Sequence, residues 1–111
     1  MSLLMDWINR NTISGQYAIT YRIPEIDNYT SITYSQLRNY IISLSGYLSQ
    51  YKNKTIAIIG NNKLEYVVSL LSVLCNIGNA FLVDKEISQE ELDDLFAVIK
   101  PNLVIIDDEI N

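Results

Sequence analysis

The fold of this chain is decided by residues 55–83, which read TIAIIGNNKLEYVVSLLSVLCNIGNAFLV. Residues 55–59 are apolar without alternation, which is typical of a strand buried on both faces. Gly60 and the two asparagines after it tolerate the left-handed backbone of a sharp turn. A helix to about Ile77 and a second buried strand over residues 79–83 follow. Two parallel strands joined by a helix form a right-handed βαβ unit, around which we expect the rest to assemble.

Both ends of this helix carry a prediction. Asn62 followed by Glu65 is a capping-box pattern, in which the asparagine side chain accepts from a free helix N–H and the glutamate reaches back. Gly78 stands where a helix C-terminus favours a left-handed residue.

Apolar residues cover most of the circumference of this helix. One face carries Leu64, Val67, Val68, Leu71, Leu74 and Cys75, and Leu70, Val73 and Ile77 lie outside it. The polar remainder is a narrow stripe of Glu65, Ser69, Ser72 and Asn76. Such a helix is normally covered on more than one side. A chain of 111 residues has little material for this, so we expect a larger body to pack against it.

The segment before the central unit is predicted to be a helix, a hairpin and a second helix. Leu3–Asn11 has helical spacing, with Leu4, Trp7 and Ile8 on one face. Tyr17–Ile23 alternates as a half-exposed strand and pairs with residues 29–33. Thr33 and Gln36 form a capping box for a helix to about Tyr51. Its predicted buried face is Leu37, Tyr40, Ile41, Leu44 and Leu48.

The segment after the central unit adds one more helix and strand. Ser88 and Glu91 form a third capping box, and Pro101 ends the helix behind it. The apolar stripe of that helix is Leu92, Leu95, Phe96 and Ile99. Leu103–Ile106 is a third buried strand. The sequence therefore predicts an α/β fold of three-layer type over one domain, residues 1–111: an N-terminal helix and β-hairpin followed by βαβαβ with parallel strands.

Composition narrows the classes of function. The net charge is −5 and the pI is near 4.5, whereas nucleic-acid binding rewards clustered Lys and Arg. No apolar run approaches the roughly 20 residues of a membrane span. Residues 1–3 have no basic region or cleavage site, which argues against secretion and leaves open a non-native leader before Met5. A cytoplasmic protein is expected.

The residues that could carry chemistry have simpler structural readings. One cysteine and no histidine exclude intramolecular disulfides, the usual zinc sites and a histidine-activated nucleophile. Cys75 is interpreted as a small core residue. The Gly60-Asn61-Asn62 loop could face a phosphate, but it lacks the lysine and further glycines of known phosphate loops. A capped turn is favoured there.

Acidic pairs are interpreted in the same way. Asp107-Asp108 could suggest a metal pair, but solvated charges at a strand end are favoured. Glu90-Glu91 and Asp93-Asp94 lie in the first turns of a helix, where carboxylates are stabilised by the helix dipole. No catalytic, cofactor-binding or metal-binding residue is predicted in this chain.

Five short motifs in order resemble the start of adenylate-forming enzymes, the family of acyl-CoA synthetases and peptide-synthetase adenylation domains. Residues 32–37 resemble its Leu-Thr-Tyr-x-Glu-Leu signature, and residues 56–65 its buried strand followed by Asn-x-x-Glu. Residues 72–83 are similar to Ala-x-x-x-Gly-x-x-x-x-Pro-Leu, with leucine replacing the proline. Residues 84–92 resemble a form common in bacterial acyl-CoA synthetases, and Leu103–Ile106 fits the strand that follows.

The resemblance implies an activity for a longer protein. In this family a carboxylate attacks the α-phosphate of ATP with Mg²⁺, and the acyl-adenylate passes to a thiol, often coenzyme A. A fatty acid is the first expected substrate, with an aryl acid, succinylbenzoate or an amino acid as alternatives. The family's phosphate loop, nucleotide-binding segments and catalytic lysine lie downstream of the matched region. The chain alone is therefore expected to be inactive, without a cofactor, with the remainder of its own enzyme as partner.

Two other classes stay open on the sequence. The chain could be a complete small α/β binding module, with a nucleotide as the first ligand to test. It could instead be an interaction protein that buries its apolar helix against a partner or a second copy of itself.

Overall fold

The computed structural model of the chain describes residues 3–61 and 63–106, which form four α-helices and five strands. Their order is α1 Leu3–Asn11, β1 Tyr17–Ile23, β2 Asn28–Thr33, α2 Tyr34–Leu48, β3 Thr55–Gly60, α3 Leu64–Cys75, β4 Asn79–Asp84, α4 Gln89–Ile99 and β5 Leu103–Ile106. Single 3₁₀ turns follow α1, β1 and α2. The predicted α/β order of helix, hairpin and βαβαβ is confirmed.

The central sheet is parallel, with β3 between β4 and β5. Ile56 of β3 lies opposite Ala80 of β4 and Leu103 of β5. Residues 56–60 of β3 are all buried, which confirms a strand covered on both faces. β1 and β2 form a separate antiparallel hairpin, with an irregularity between Tyr17 and Ile19.

The crossovers give the sheet its two covering layers. The β3-to-β4 connection and the β4-to-β5 connection run in opposite directions across the sheet. Because such crossovers are almost always right-handed, α3 and α4 belong on opposite faces. On the α4 face, Ala57, Ile59 and Val83 are buried. The predicted stripe of α4 is half-buried at every position: Leu92, Leu95, Phe96 and Ile99.

A polar pair aligns β5 with β3 just before β5 begins. The backbone N–H of Asn102 donates to the Thr55 carbonyl oxygen at 2.8 Å. In return, the Thr55 N–H donates to the Asn102 side-chain Oδ1 at 3.0 Å. The two residues therefore extend the β3–β5 ladder by one reciprocal pair.

The predicted cap of α2 is fully formed. The Gln36 N–H donates to Thr33 Oγ1 at 3.2 Å, and the Thr33 N–H donates to Gln36 Oε1 at 2.8 Å. For α4, the Glu91 N–H donates to Ser88 Oγ at 3.1 Å, but the return bond from the Ser88 N–H to the Glu91 side chain is not formed, so half of the predicted capping box is present. These signals locate the helix starts because both partners of each bond lie within four residues.

The buried face of α2 is confirmed except at one residue. Leu37, Ile41 and Leu48 are buried, and Leu44 packs against the core. Tyr40 is half-exposed and lines the rim of a groove between α2 and α3. A phenol can pack its ring at such a rim while its hydroxyl stays in water, so the assignment of Tyr40 to the buried face was wrong.

α3 lies between two core clusters. The first contains Met5, Ile8, Ile32, Leu37 and Ile41, and the α3 residues packed against it are Leu64, Val68, Leu71 and Cys75. The second contains Leu48, Ile56, Ile58 and Val73, with Tyr66 and Leu70 of α3 beside it. The chain itself thus covers α3 on two opposite sides, which is more cover than its length led us to expect. This explains most of the apolar circumference of the helix.

The middle of the polar stripe of α3 is turned toward the rest of the chain, whereas Glu65 at its start is exposed. Ser72 is fully buried, and its hydroxyl donates to the Val68 carbonyl oxygen at 2.7 Å. Ser69, on the same side one turn earlier, lines a groove with Tyr40 and Leu44 of α2. Small side chains let two helices approach closely, so this side of α3 faces α2. The hydroxyl needs no other partner because it is bonded within its own helix.

Both predicted ends of α3 differ in detail. Asn62 lies outside the described residues, and the residue at the N-cap position is Lys63, whose side chain makes no capping hydrogen bond. The helix ends at Cys75, earlier than the predicted Ile77. The left-handed residue is Ile77, with φ +58°, and not Gly78.

Gly78 is needed for a different reason. Its N–H donates to the Val73 carbonyl oxygen at 2.9 Å, and the Ile77 N–H donates to that of Leu74 at 3.1 Å. These two bonds form a Schellman motif. A Cβ on Gly78 would lie 2.9 Å from Cγ1 of Val73, so close approach, rather than backbone handedness, requires glycine there.

Candidate functional site

The edge where the parallel strands end is the place for a ligand in a fold of this kind. β3 ends at Gly60, β4 at Asp84 and β5 at Ile106. A small open cleft at this edge is lined by Gly60, Asn61, Tyr66 and Asp84. The topology thus brings together the predicted turn residues Gly60 and Asn61 with two side chains that the sequence analysis did not single out.

The backbone around this cleft is fixed by turns. The Lys85 N–H donates to the Gly60 carbonyl oxygen at 3.1 Å. The Glu86 N–H donates to Asp84 Oδ1 at 2.9 Å, and the Lys63 N–H donates to the Asn61 carbonyl oxygen at 2.7 Å. The carboxylate of Asp84 is therefore engaged in holding the loop that follows β4.

The electrostatics of the cleft do not favour a phosphate. Partial burial, and then the negative charge of Asp84, raise the pKa of the Tyr66 hydroxyl. Both effects act against the charged phenolate, so Tyr66 is a neutral hydrogen-bond donor at ordinary pH. The charged side chain that lines the cleft is the Asp84 carboxylate, which repels an anion. A structural turn is therefore favoured for Gly60 and Asn61, whereas the cap predicted on Asn62 lies outside the described residues.

The nucleotide phosphates implied by the resemblance do not fit the residues of this edge. Residues 3–61 and 63–106 contain no group of three or more His, Cys, Asp or Glu side chains placed to hold a metal, and the carboxylate that lines this cleft, that of Asp84, already accepts from the Glu86 N–H. The ATP phosphates would meet Asp84 without a lysine lining the cleft.

A second open groove runs over the end of β5. It is lined by Ile58, Ile59, Ile105 and Ile106 of the sheet and by Glu65, Tyr66 and Ser69 of α3. A third cleft lies between the hairpin and the start of α3, where Arg22, Glu25, Lys63 and Glu65 mix both signs of charge. Arg22 already forms an ion pair with Asp27. These clefts are shallow surface features, and their side chains do not converge on one reacting atom.

The remaining candidates lie where structure explains them. Cys75 is half-buried and packs against the first core cluster, as expected for a small core residue. Glu90 and Glu91 are in the first turn of α4, where the helix dipole favours them. Asp107 and Asp108 lie outside the described residues. In the described part of the chain, no helix has the length and hydropathy to cross a membrane.

Comparison with known proteins gives a result for structure but not for sequence. The sequence matches no protein-family model and no curated protein. The fold matches acetoacetyl-CoA synthetase from Streptomyces lividans, with a TM-score of 0.81, 18% identity and 93% of this chain covered. It also matches a fatty acid AMP ligase from Legionella pneumophila, with a TM-score of 0.79, 15% identity and 93% covered.

A third match is to a piece of a larger protein. The N-terminal subdomain of Klebsiella oxytoca NpsA, solved with 3-hydroxyanthranilyl-AMSN, has a TM-score of 0.76, 17% identity and 95% of this chain covered. This chain spans 17%, 19% and 26% of the synthetase, the ligase and the NpsA subdomain, respectively. The fold expected from the resemblance to adenylate-forming enzymes is confirmed, and the chain corresponds to a minor part of each matched structure.

Proposed function

We propose that this chain is the N-terminal part of a longer ATP-dependent enzyme that activates a carboxylic acid as an acyl-adenylate. The proposal depends mainly on how much of each chain the structural match covers. The match to an acetoacetyl-CoA synthetase covers 93% of this chain but only 17% of the synthetase. The five sequence motifs, found independently of the coordinates, support the same region of the same family. Residues 1–111 would form one subdomain, with residues 1–3 as a candidate non-native leader.

The first candidate substrate is a fatty acid, with coenzyme A as the acceptor. Two features support it: residues 84–87, Asp-Lys-Glu-Ile, resemble a bacterial acyl-CoA synthetase form, and one matched structure is a fatty acid AMP ligase. ATP, Mg²⁺ and coenzyme A would be held by the polypeptide beyond this chain, in a cytoplasmic enzyme. The edge at Gly60 and Asp84 would serve as structure.

An aryl acid is the second candidate. The NpsA subdomain was solved with a 3-hydroxyanthranilyl compound, and its fold agreement with this chain is close to that of the fatty acid AMP ligase. An amino acid remains the third candidate.

The reading frame and the activity of its product test the proposal. The longer polypeptide encoded beyond Asn111 should exchange pyrophosphate into ATP only when a carboxylic acid is added. We expect medium- or long-chain fatty acids to stimulate exchange at least tenfold more than 3-hydroxyanthranilate or amino acids. A stop codon directly after Asn111, or no exchange with any acid, would contradict the proposal.

The isolated chain gives the complementary measurement. Titration calorimetry of the 111-residue chain with ATP, AMP and coenzyme A should give no heat of binding. Saturable binding of one nucleotide per chain would instead support a complete small binding module, and the cleft at Tyr66 would be the first place to locate it.

A further inference from the structure

One side of α3 remains apolar and uncovered. Successive helical residues are about 100° apart around the axis. Three sides of α3 face the first cluster, the sheet and α2, and the remaining side carries Val67 and Leu74. Leu74 is 43% exposed, and Val67 is half-buried. This side points away from α2, because Ser69 and Ser72 occupy the opposite side.

The same uncovered side continues onto β4. Ala80 of β4 packs in the second cluster together with Leu70 and Val73 of α3, so α3 covers this face of β4. Leu82 lies two residues further along the strand and on the same face, yet it is 47% exposed. We call Val67, Leu74, Leu82 and the outer edge of β4 the α3–β4 surface.

The outer edge of β4 lacks the usual protections over the four residues before its terminal Asp84. β4 is at one end of the described sheet, and residues 80–83, Ala-Phe-Leu-Val, include no charge, proline or bulge. Edge strands of stable soluble domains are normally guarded by such devices or kept short. β4 has six residues, of which the central four are apolar. This apolar edge therefore calls for a partner strand.

We propose that the α3–β4 surface receives a strand and a helix of the longer polypeptide, the strand pairing with β4 and the helix packing on Val67 and Leu74. This rests on the proposed function, which supplies the additional polypeptide: the matched synthetase, ligase and NpsA subdomain are each several times longer than this chain. A strand with a helix beside it repeats the arrangement that α3 and β4 already have. A second copy of the chain fits less well, since each copy carries a net charge of −5 and the two would repel.

Hydrogen exchange tests the pairing directly. We compare the 111-residue chain with the longer polypeptide, and expect the β4 amides that do not bond to β3 to exchange at least tenfold more slowly in the longer protein. The β3 amides, enclosed in both proteins, are the internal reference. Equal β4 exchange in the two proteins would overturn the proposal.

A pair of matched variants tests the helix contact. Leu74→Glu should leave the denaturation midpoint of the 111-residue chain unchanged but lower the thermal midpoint of the longer polypeptide by several degrees. Val98→Glu, at an α4 residue that is 80% exposed, should have no effect in either. Tolerance of Leu74→Glu in the longer polypeptide would overturn the proposal.

The outcomes separate this proposal from the function on which it rests. Pyrophosphate exchange by the longer polypeptide with an unprotected β4 edge would sustain the function and remove the docking surface. A protected edge without exchange activity would do the reverse. If light scattering shows the 111-residue chain to be a dimer that Leu74→Glu dissociates, then the occupant is a second copy and the proposal is wrong.

Discussion

Two opposite sides of α3 differ in burial: the polar side is the more buried one, and the apolar side is the more exposed one. On the side that faces α2, Ser72 is fully buried and Ser69 is half-buried, lining a groove with Tyr40 and Leu44. The side with Val67 and Leu74 is the more open one, although its residues are apolar. Polarity therefore does not decide which side of this helix is buried; the distance of the neighbouring element does. A close neighbour demands small side chains, and the open apolar side is the one on which we place the proposed strand and helix.

Enlarging the enclosed side should have the largest effect. Ser72→Leu inserts a bulky apolar side chain into the contact between α3 and α2, and overpacking of this kind costs about 1–3 kcal/mol. Leu74→Ser is the matched control on the open side, expected to change the unfolding free energy by no more than about 0.5 kcal/mol. Urea denaturation of both variants measures this. Stabilisation by Ser72→Leu would show that the serine side has room and that our comparison is wrong.

The end of α3 offers a second test of close approach. Gly78→Ala places a methyl group 2.9 Å from Cγ1 and 3.3 Å from the carbonyl oxygen of Val73. Because Val73 is itself buried and cannot move freely, we expect a loss of about 1–2 kcal/mol. Gly46→Ala is the control, since a Cβ there meets nothing within 4 Å and alanine favours the helix. A stabilised Gly78→Ala variant would contradict the close contact.

The neighbouring residue should respond in the opposite direction. Ile77 adopts φ +58°, a conformation that costs a residue with a Cβ about 1–2 kcal/mol. Ile77→Gly relieves this strain but removes a half-exposed side chain. We therefore expect the free energy of unfolding, measured by heat or urea, to rise by about 0.5–1 kcal/mol. Ile42→Gly within α2 should instead lose about 1 kcal/mol. Loss of stability in Ile77→Gly would mean that the side chain of Ile77 contributes more packing than its exposure suggests.

The smallest effect concerns pH and the strand-end cleft. The pKa of Tyr66 is raised in the folded chain by burial and by Asp84, so the folded state disfavours the phenolate. The contribution of the neutral Tyr66 hydroxyl to the free energy of unfolding is fully present below the unfolded-state pKa of about 10. It is lost as the pH rises from there through the folded-state pKa. Tyr66→Phe should therefore flatten part of the decline in stability above about pH 10. An identical decline in the variant would show that Tyr66 does not contribute to it.

Local signals in the sequence predicted the helices and strands well, but they did not predict the contacts between distant segments. Thr33 with Gln36 and Ser88 with Glu91 locate helix starts because each hydrogen bond closes within a few residues. The unbroken apolar run of β3 predicts burial on both faces because no polar residue interrupts it. The orientation of the α3 stripe depends on α2, roughly 30 residues earlier in the chain, and nothing in the spacing of the serines reveals that contact.

The candidate site shows the same division. The topology of a parallel sheet predicts that Gly60 and Asn61 lie at the edge where the strands end, and they do. The proximity of Tyr66 to Asp84 was missed, because a tyrosine in the first turn of α3 approaches the end of β4 only after the helix has packed. The motifs that resemble adenylate-forming enzymes predicted the fold correctly, since they fall on element boundaries that the structure keeps.

The reciprocal bonds between Asn102 and Thr55 have a consequence for how the chain folds. β3 and β5 are both short apolar runs, so a shift in their pairing register would still place apolar side chains opposite apolar side chains. The polar pair at the start of the ladder favours the native alignment over a slipped one. Asn102 thus helps to set the register of β5 on β3. Its replacement by alanine should allow β5 to pair with β3 in more than one register.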